Sequence, residues 1–214
     1  MSGAYPPLGV PAHDIAQLLA GAVMVLSVFL LFQTRISAMI RNLSWQALGL
    51  AGAVFWLAWA RGEREFVVIG LVVLAAKAWG LPVLLRRLVG VWPDNADGET
   101  IGGIATAMTG GGLVVLAALV VLAATGGMAW GVREALAIAL SVLLPGLWTM
   151  LARRRTLSRL VGFVCAQNGC FLAVLAVGDA TAMLGLALVE LGVVAGALLG
   201  VAVFVAGRVP WGWR

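Results

Sequence analysis

Four polar side chains lie inside long apolar stretches of the sequence, and they are the first candidates for chemistry. Lys77 lies in VVLAAKAWGLP, Gln167 and Asn168 are adjacent in FVCAQNGCF, and Glu190 lies in GLALVELGVV. A full charge near the centre of a bilayer costs at least about 2.5–3.5 kcal/mol, so such residues usually face the protein interior and serve ions or protons. We therefore take these four residues as candidates for a proton or charge pathway.

The two charged residues carry different alternatives. Glu190 has a short side chain that reaches a membrane surface poorly. It either exchanges protons, as a buried carboxyl near a cation can, or it makes a static hydrogen bond to a neighbouring helix. Lys77 lies about eight residues, or about 12 Å, from the end of its predicted helix. It either belongs to a charge relay, or it snorkels toward Arg86 or forms a structural pair.

Gln167 and Asn168 are uncharged, so their part in any such pathway is different. Amide side chains hydrogen-bond across helices and hold water, but they do not carry a proton as a carboxylate does. Interhelical hydrogen bonding is therefore the simplest reading of this pair.

The elements that hold these residues are predicted to be membrane-spanning helices. The chain has 214 residues, of which 63% are hydrophobic and 11% are charged, and its mean hydropathy is +1.07. The charges occur in short segments between long apolar runs. This pattern predicts an all-α, polytopic integral membrane protein with about seven transmembrane helices, at approximately 13–33, 43–61, 64–85, 104–124, 131–152, 158–178 and 182–206.

The predicted helices form a single membrane domain over residues 1–214. A hydrophilic segment at 90–103 divides it into an N-terminal three-helix part at 13–85 and a C-terminal four-helix part at 104–206. This segment is too short to link independent domains. The tight RGERE turn at 61–65 predicts that the second and third helices form an antiparallel hairpin.

The distribution of arginines predicts the orientation. One side of the predicted bundle carries three arginines, whereas the other carries ten: Arg35, Arg41, Arg86, Arg87, Arg153, Arg154, Arg155, Arg159, Arg208 and Arg214. Because basic residues are enriched on the cytoplasmic side, the N-terminus is predicted to lie outside and the C-terminus in the cytoplasm. The same clustering at helix ends explains the net charge of +5 without a nucleic-acid partner.

Several other functions find no support in the sequence. The N-terminus lacks the basic region of a cleavable signal peptide. Cys165 and Cys170 lie in an apolar helix and are interpreted as small core residues rather than a disulfide or metal site. With His13 as the single histidine and no nucleotide-binding motif, we predict no catalytic residue, no metal site and no cofactor in this chain.

A stripe of glycines marks one face of the last predicted helix. Gly192, Gly196 and Gly200 repeat every four residues and allow another backbone to approach closely. Either packing within the bundle or contact with a partner subunit explains this stripe, and packing within the bundle is the simpler interpretation.

Two longer segments resemble a known family. RRRTLSRLVGFVCAQNGCFLAV, followed by LALVELGVVAGALLGVAVFVAG, resembles hydrogenase-4 component E, a membrane subunit of formate hydrogenlyase-type group 4 [NiFe] hydrogenases. Residues 131–206 are also similar to subunit K of complex I. AAKAWGLPVLLRRLVG resembles the family's lysine-then-proline helix that ends in basic residues.

The resemblance implies a non-redox subunit in the membrane arm of an energy-converting complex. Its partners would be antiporter-like membrane subunits, and a peripheral hydrogenase arm would carry the nickel-iron and iron-sulfur centres on other chains. The location implied is the bacterial cytoplasmic (inner) membrane. Glu190 matches the carboxylate of the family's last helix and Lys77 its lysine, which gives a proton pathway of Glu190, Lys77, Gln167 and Asn168.

The sequence also departs from the family pattern. Gln167-Asn168-Gly169 stands where the pattern has Glu-Asn-Gly, and Gly196 or a neighbour stands where a second acidic residue is expected. A glutamine keeps the shape and hydrogen bonds of a glutamate but does not ionise. The alternative function is therefore a purely structural scaffold of a hydrogenase-related or cation/proton antiporter complex.

Overall fold

The computed structural model describes residues 10–91, 103–178, 182–183, 185–189, 192 and 196. The elements are α1 (Val10–Phe32), α2 (Ile36–Arg61), α3 (Arg64–Val73), a π-helical segment (Leu74–Gly80), α4 (Leu81–Val91), α5 (Gly103–Ala124), α6 (Trp130–Ala152) and α7 (Thr156–Val177). In this part of the chain, six helices are long and apolar enough to cross a membrane, with α3, the π-helical segment and α4 forming one of them. The chain is thus an all-α polytopic membrane protein, as predicted. Most of the seventh predicted span, 182–206, and of the segment 90–103 lies outside the described residues.

Two helices extend further toward one membrane surface than predicted. α2 begins at Ile36 and not near residue 43, and α4 continues through Arg86 and Arg87 to Val91. The prediction treated arginines as helix boundaries. Arginine is in fact a good helix former, and its long stem lets the charged group reach the headgroup region from within a helix.

The second and third spans form the predicted tight connection. α2 ends at Arg61, and Gly62 adopts a left-handed conformation (φ 69°) in which its N–H bonds to the carbonyl of Ala58. The left-handed region is readily open only to glycine, so Gly62 reverses the chain without strain. α3 then begins at Arg64 and packs back along α2.

Among the described elements, α6 and α7 share the most extensive contact, and glycines on both helices allow their backbones to approach closely. A Cβ atom at Gly169 would lie 2.5 Å from the backbone nitrogen of Leu143, and one at Gly162 would lie 2.6 Å from that of Met150. Gly146 on α6 faces the backbone of Ala166 in the same way. The contact between α6 and α7 thus depends on glycines of both helices.

The bundle has two different ends. We call the end that holds the α1–α2 and α6–α7 connections the arginine-rich end, and the other the opposite end. At the arginine-rich end, the Arg153 side chain is 2% exposed and donates hydrogen bonds to the carbonyls of Leu31 (3.1 Å) and Gln33 (2.6 Å). At the opposite end, Arg61 donates to the carbonyl of Gly178 (3.1 Å). One arginine thus joins neighbouring connections at each end.

Candidate functional site

Lys77 is buried in the middle of the bundle. Its side chain is only 3% exposed, and it lies about 20 Å along the helix from Arg64 and about 15 Å from Arg87 at 1.5 Å per residue. Its ammonium nitrogen donates a hydrogen bond to Oδ1 of Asn168 on α7 at 2.8 Å. It also lies 5.7 Å from the centre of the Phe171 ring, within the range of a cation–π contact. Lys77 is therefore paired across helices and does not snorkel to the surface.

The local backbone around Lys77 is unusual. The seven residues Leu74–Gly80 form a π-helix inside an otherwise α-helical span. π-helical segments contain one extra residue per turn and are frequent at functional sites. Pro82 follows directly, and a proline provides no N–H for the preceding turn, which removes one α-helical hydrogen bond there. The wider turn sets the direction in which Lys77 leaves its helix.

Asn168 connects Lys77 to a third helix. Its Nδ2 donates to Oε1 of Gln46 on α2 at 3.0 Å, and both amide side chains are almost fully buried, with exposures of 1% and 0%. A lysine ammonium can only donate, so Oδ1 of Asn168 must face Lys77 and Nδ2 must face Gln46. The charge on Lys77 thus fixes the direction of both hydrogen bonds. We call Lys77, Asn168 and Gln46 the lysine cluster.

The free end of this chain of hydrogen bonds is a donor. Because Oε1 of Gln46 accepts from Asn168, its Nε2 points onward, and this buried atom has no hydrogen-bond partner among the described groups. The thiol of Cys165, a fully buried residue, lies beside Gln46 and donates to Oγ of Ser27 at 3.5 Å. A set of buried polar groups therefore continues from the lysine cluster toward α1.

The other predicted site residues have different positions. Gln167 precedes Asn168 but does not hydrogen-bond to Lys77 in the described structure, and its buried Oε1 has no partner there. Glu190 lies outside the described residues. Gly192 and Gly196 are exposed, and a Cβ atom at either would meet nothing within 4 Å in the described structure. Gly200 also lies outside the described residues.

The cysteine prediction was right for one residue and wrong for the other. Cys165 is a buried core residue, whereas Cys170 is exposed. The two residues are five positions apart on α7, so their side chains leave the helix on different faces. Both are free thiols. In the described part of the chain, no group of three or more His, Cys, Asp or Glu side chains is placed to hold a metal ion.

Among the described residues, one cleft opens at each end of the bundle. The larger, of about 270 Å³, lies at the opposite end and is lined by α1, α2, α6 and α7, with Gln17 and Arg61 among apolar residues. The smaller, of about 230 Å³, lies at the arginine-rich end and includes Thr106, Thr149 and Arg153. Neither cleft includes a residue of the lysine cluster.

The arrangement can hold a positive charge at mid-membrane depth and orient it. Hydrogen bonds to a charged donor are roughly twice as strong as neutral ones. The ammonium group of Lys77 faces the amide oxygen of Asn168 and the Phe171 ring, and the amide oxygen of Gln46 supports Asn168 in turn. The amides transmit orientation along a hydrogen-bonded chain but do not ionise. Within the lysine cluster, Lys77 is thus the one group that can bind or release a proton.

The fold and this cluster define the class: a polytopic helical membrane protein with a buried lysine bonded to an asparagine amide at its centre. The chain is 31% identical over 155 residues to the uncharacterized protein Rv0085 of Mycobacterium tuberculosis, an alignment that covers 70% of this chain and 69% of the relative. The chain belongs to the same family as that mycobacterial protein. No family model matches the sequence, and no solved structure matches it.

Proposed function

We propose that this protein is a non-redox membrane-arm subunit of an energy-converting, complex I-like group 4 [NiFe] hydrogenase complex. In this role it contributes to the proton or charge pathway within the membrane and docks antiporter-like subunits. The complex lies in the bacterial inner membrane, and its nickel-iron and iron-sulfur centres belong to partner subunits.

The observation that carries the proposal is the burial of Lys77 against Asn168. A lysine at this depth is costly in a lipid-facing protein, and buried ionisable residues in membrane spans typically serve ion or proton movement. The 2.8 Å hydrogen bond to Asn168 lies in the segment that resembles component E. The resemblance and the geometry thus concern the same residues.

The amides define what the lysine cluster contributes. With Gln167 in place of the expected glutamate, Lys77 is the one charged member of the proposed pathway among the described residues. Electron transfer in the peripheral arm would change the electrostatic field at Lys77, and the bound amides would pass this change to α2 and α7. Glu190, which lies outside the described residues, is the proposed carboxylate partner of this pathway.

The test is proton translocation by the complex in inverted membrane vesicles. Lys77→Met keeps an unbranched side chain of nearly the same length but removes its charge, and it is expected to lower proton uptake while hydrogen evolution by the peripheral arm persists. Glu190→Gln is expected to act in the same direction. Arg86→Gln is the matched control, because Arg86 is an exposed cation on the same span. Unchanged proton uptake in both Lys77→Met and Glu190→Gln would refute the proposal.

The second candidate is a purely structural scaffold, and the exposed glycines favour it. In the described part of the chain, Gly192 and Gly196 are exposed, and a Cβ atom at either would meet nothing within 4 Å, so they offer a smooth surface to a neighbouring subunit. If the chain is only a scaffold, Gly192→Leu or Gly196→Leu should break the complex apart during purification. Lys77→Met should then leave both assembly and proton uptake intact.

A further inference from the structure

The buried polar residues are unevenly distributed between the two halves of the bundle. The structure describes ten buried polar or charged residues: Ser27, Asn42, Gln46, Lys77, Thr106, Ser141, Thr149, Arg153, Ser158 and Asn168. Apart from Gln46, Lys77, Ser141 and Asn168 near mid-depth, they lie on the side of the arginine-rich end. On the opposite side, the walls between Asn168 and the larger cleft are apolar and include Ala20, Leu57 and Leu172.

Asn42 and Gln46 form the centre of this polar half. They are one helical turn apart on α2, at depths of about 9 Å and 15 Å from its start at Ile36, and both are buried. Nδ2 of Asn42 donates to the carbonyl of Leu26 at 2.8 Å. A carbonyl only accepts, so the orientation of the Asn42 amide is fixed and its Oδ1 faces away from Leu26.

Each of these two amides has one atom without a hydrogen-bond partner, and one of these atoms is an acceptor and the other a donor. Oδ1 of Asn42 is a buried acceptor, and Nε2 of Gln46 is a buried donor. Neither has a hydrogen-bond partner among the described protein groups. A buried polar group without a partner costs about 1–3 kcal/mol, and buried water typically makes about three hydrogen bonds to such groups. An acceptor and a donor one turn apart on the same helix face are well placed to share water.

We propose that Asn42 and Gln46 bind a file of water molecules that connects the lysine cluster with the arginine-rich end. The smaller cleft is the mouth of this file. Its wall includes Leu31, one helical turn from Ser27 on α1, and its volume of about 230 Å³ holds several waters at about 30 Å³ each. Lys77 is therefore hydrated, and reached by protons, from the arginine-rich side.

This inference deepens the proposed function. It rests on that function only for the claim that the water delivers protons to Lys77. The binding of water itself is independent of any activity. It also names an entry side, which the resemblance alone does not provide.

The test detects water next to identified side-chain amides. The full chain is prepared in liposomes with ¹⁵N in its side-chain amides, which occur only at Asn42, Asn95, Asn168, Gln17, Gln33, Gln46 and Gln167. Solid-state NMR then measures how fast magnetisation passes from water to each amide. The Gln46 signal is identified by its loss in Gln46→Leu. We expect Gln46 to receive magnetisation about as fast as the half-exposed Gln33.

Two variants determine the direction from which water enters. Asn42→Leu interrupts the proposed file and should cause a severalfold loss of transfer at Gln46. Ala176→Leu is the matched control, because it adds the same side chain to the larger cleft at the opposite end, and it should leave the transfer unchanged. If only Ala176→Leu lowers the transfer, the entry side is wrong. Slow transfer at Gln46 in the unmodified chain means that the site is dry and overturns the inference without the need for any variant.

The outcome is separable from that of the proposed function. Rapid water transfer together with normal proton uptake in Lys77→Met refutes the proposed function and leaves the water file in place. Slow water transfer at Gln46 together with impaired proton uptake in Lys77→Met supports the proposed function and refutes the water file. Lys77 then takes part in proton uptake, but protons do not reach it along Asn42 and Gln46.

Discussion

Replacing Asn168 with leucine perturbs the lysine cluster at its centre. The substitution removes the acceptor that Lys77 uses at 2.8 Å and the donor that Gln46 accepts at 3.0 Å. Leucine has nearly the same size, so the loss concerns hydrogen bonds more than packing. Because Asn168 is 1% exposed, no bulk water replaces the lost groups at the surface.

Two magnitudes compete in predicting the effect. In soluble proteins, a hydrogen bond to a charged group contributes about 1.5–3 kcal/mol. In membrane proteins, hydrogen bonds between helices average about 0.6 kcal/mol and reach at most about 1.7 kcal/mol. The ammonium of Lys77 is a charged donor at mid-membrane depth, so we expect its bond with Asn168 at the upper end of the membrane range, about 1.5 kcal/mol.

A double-mutant cycle isolates this energy. The free energies of unfolding of the unmodified chain, Asn168→Leu, Lys77→Met and the double variant are measured by reversible titration with SDS in mixed micelles, and the coupling is their non-additivity. Thr149→Val paired with Lys77→Met is the control, because Thr149 is a buried polar residue that bonds to the carbonyl of Pro145 in its own helix. A coupling between Asn168 and Lys77 no larger than that of the control pair would refute the reasoning.

Two further predictions use the same unfolding measurement. Gly169→Ala should destabilise by about 1–3 kcal/mol as an overpacked site, since its Cβ would lie 2.5 Å from the backbone of Leu143; Gly112→Ala, with open space around it, should be neutral or stabilising by up to about 1 kcal/mol. Arg153→Met removes the two charged hydrogen bonds to the α1–α2 connection and should cost about 1.5–3 kcal/mol or more. The exposed Arg35 should tolerate the same substitution within about 0.5 kcal/mol, and equal effects at the two arginines would contradict the role of Arg153.

The fold class and most helices were predictable because apolar length alone indicates a membrane span. The sequence left open whether Lys77 is buried or snorkels, since the residue lies about eight residues from the predicted end of its helix; the structure shows that it is buried. The hydrogen-bond partner of Lys77 could not be predicted from the sequence. Gln167 and Asn168 are adjacent in the sequence, and only the rotation of α7 against its neighbours determines that Asn168, and not Gln167, meets Lys77.

Gln46 was missed for a definite physical reason. With a predicted start near residue 43, Gln46 falls in the first turn of its helix, where a polar side chain reaches the headgroups and requires no explanation. The observed start at Ile36 moves it about 15 Å into the membrane. The helical propensity of the segment from Ile36 to Asn42 was the available signal, and the arginine within it was given too much weight as a boundary.

The π-helical segment shows which feature sequence periodicity cannot predict: the direction of the side chains that follow it. Periodicity arguments assume 3.6 residues per turn, whereas a π-helical turn contains about one residue more and rotates every later side chain relative to the earlier ones. Pro82 marks the position where the α-helical hydrogen bonds fail, but the sequence does not reveal whether the helix responds with a kink or with a wider turn.

The chemistry of the lysine cluster restricts what this chain can contribute to proton movement. Asn168 and Gln46 are held in one orientation as long as Lys77 is protonated, because an ammonium group only donates. A neutral lysine amine can accept as well as donate a hydrogen bond, so loss of that proton no longer restricts Asn168, or the Gln46 amide bonded to it, to one direction. The protonation of Lys77 is thereby coupled to the direction of hydrogen bonds on α2 and α7, including that of the unpartnered donor Nε2 of Gln46. We infer that a change in charge at Lys77 reaches the proposed water file through the reorientation of these two amides, with no ionisable group needed between them.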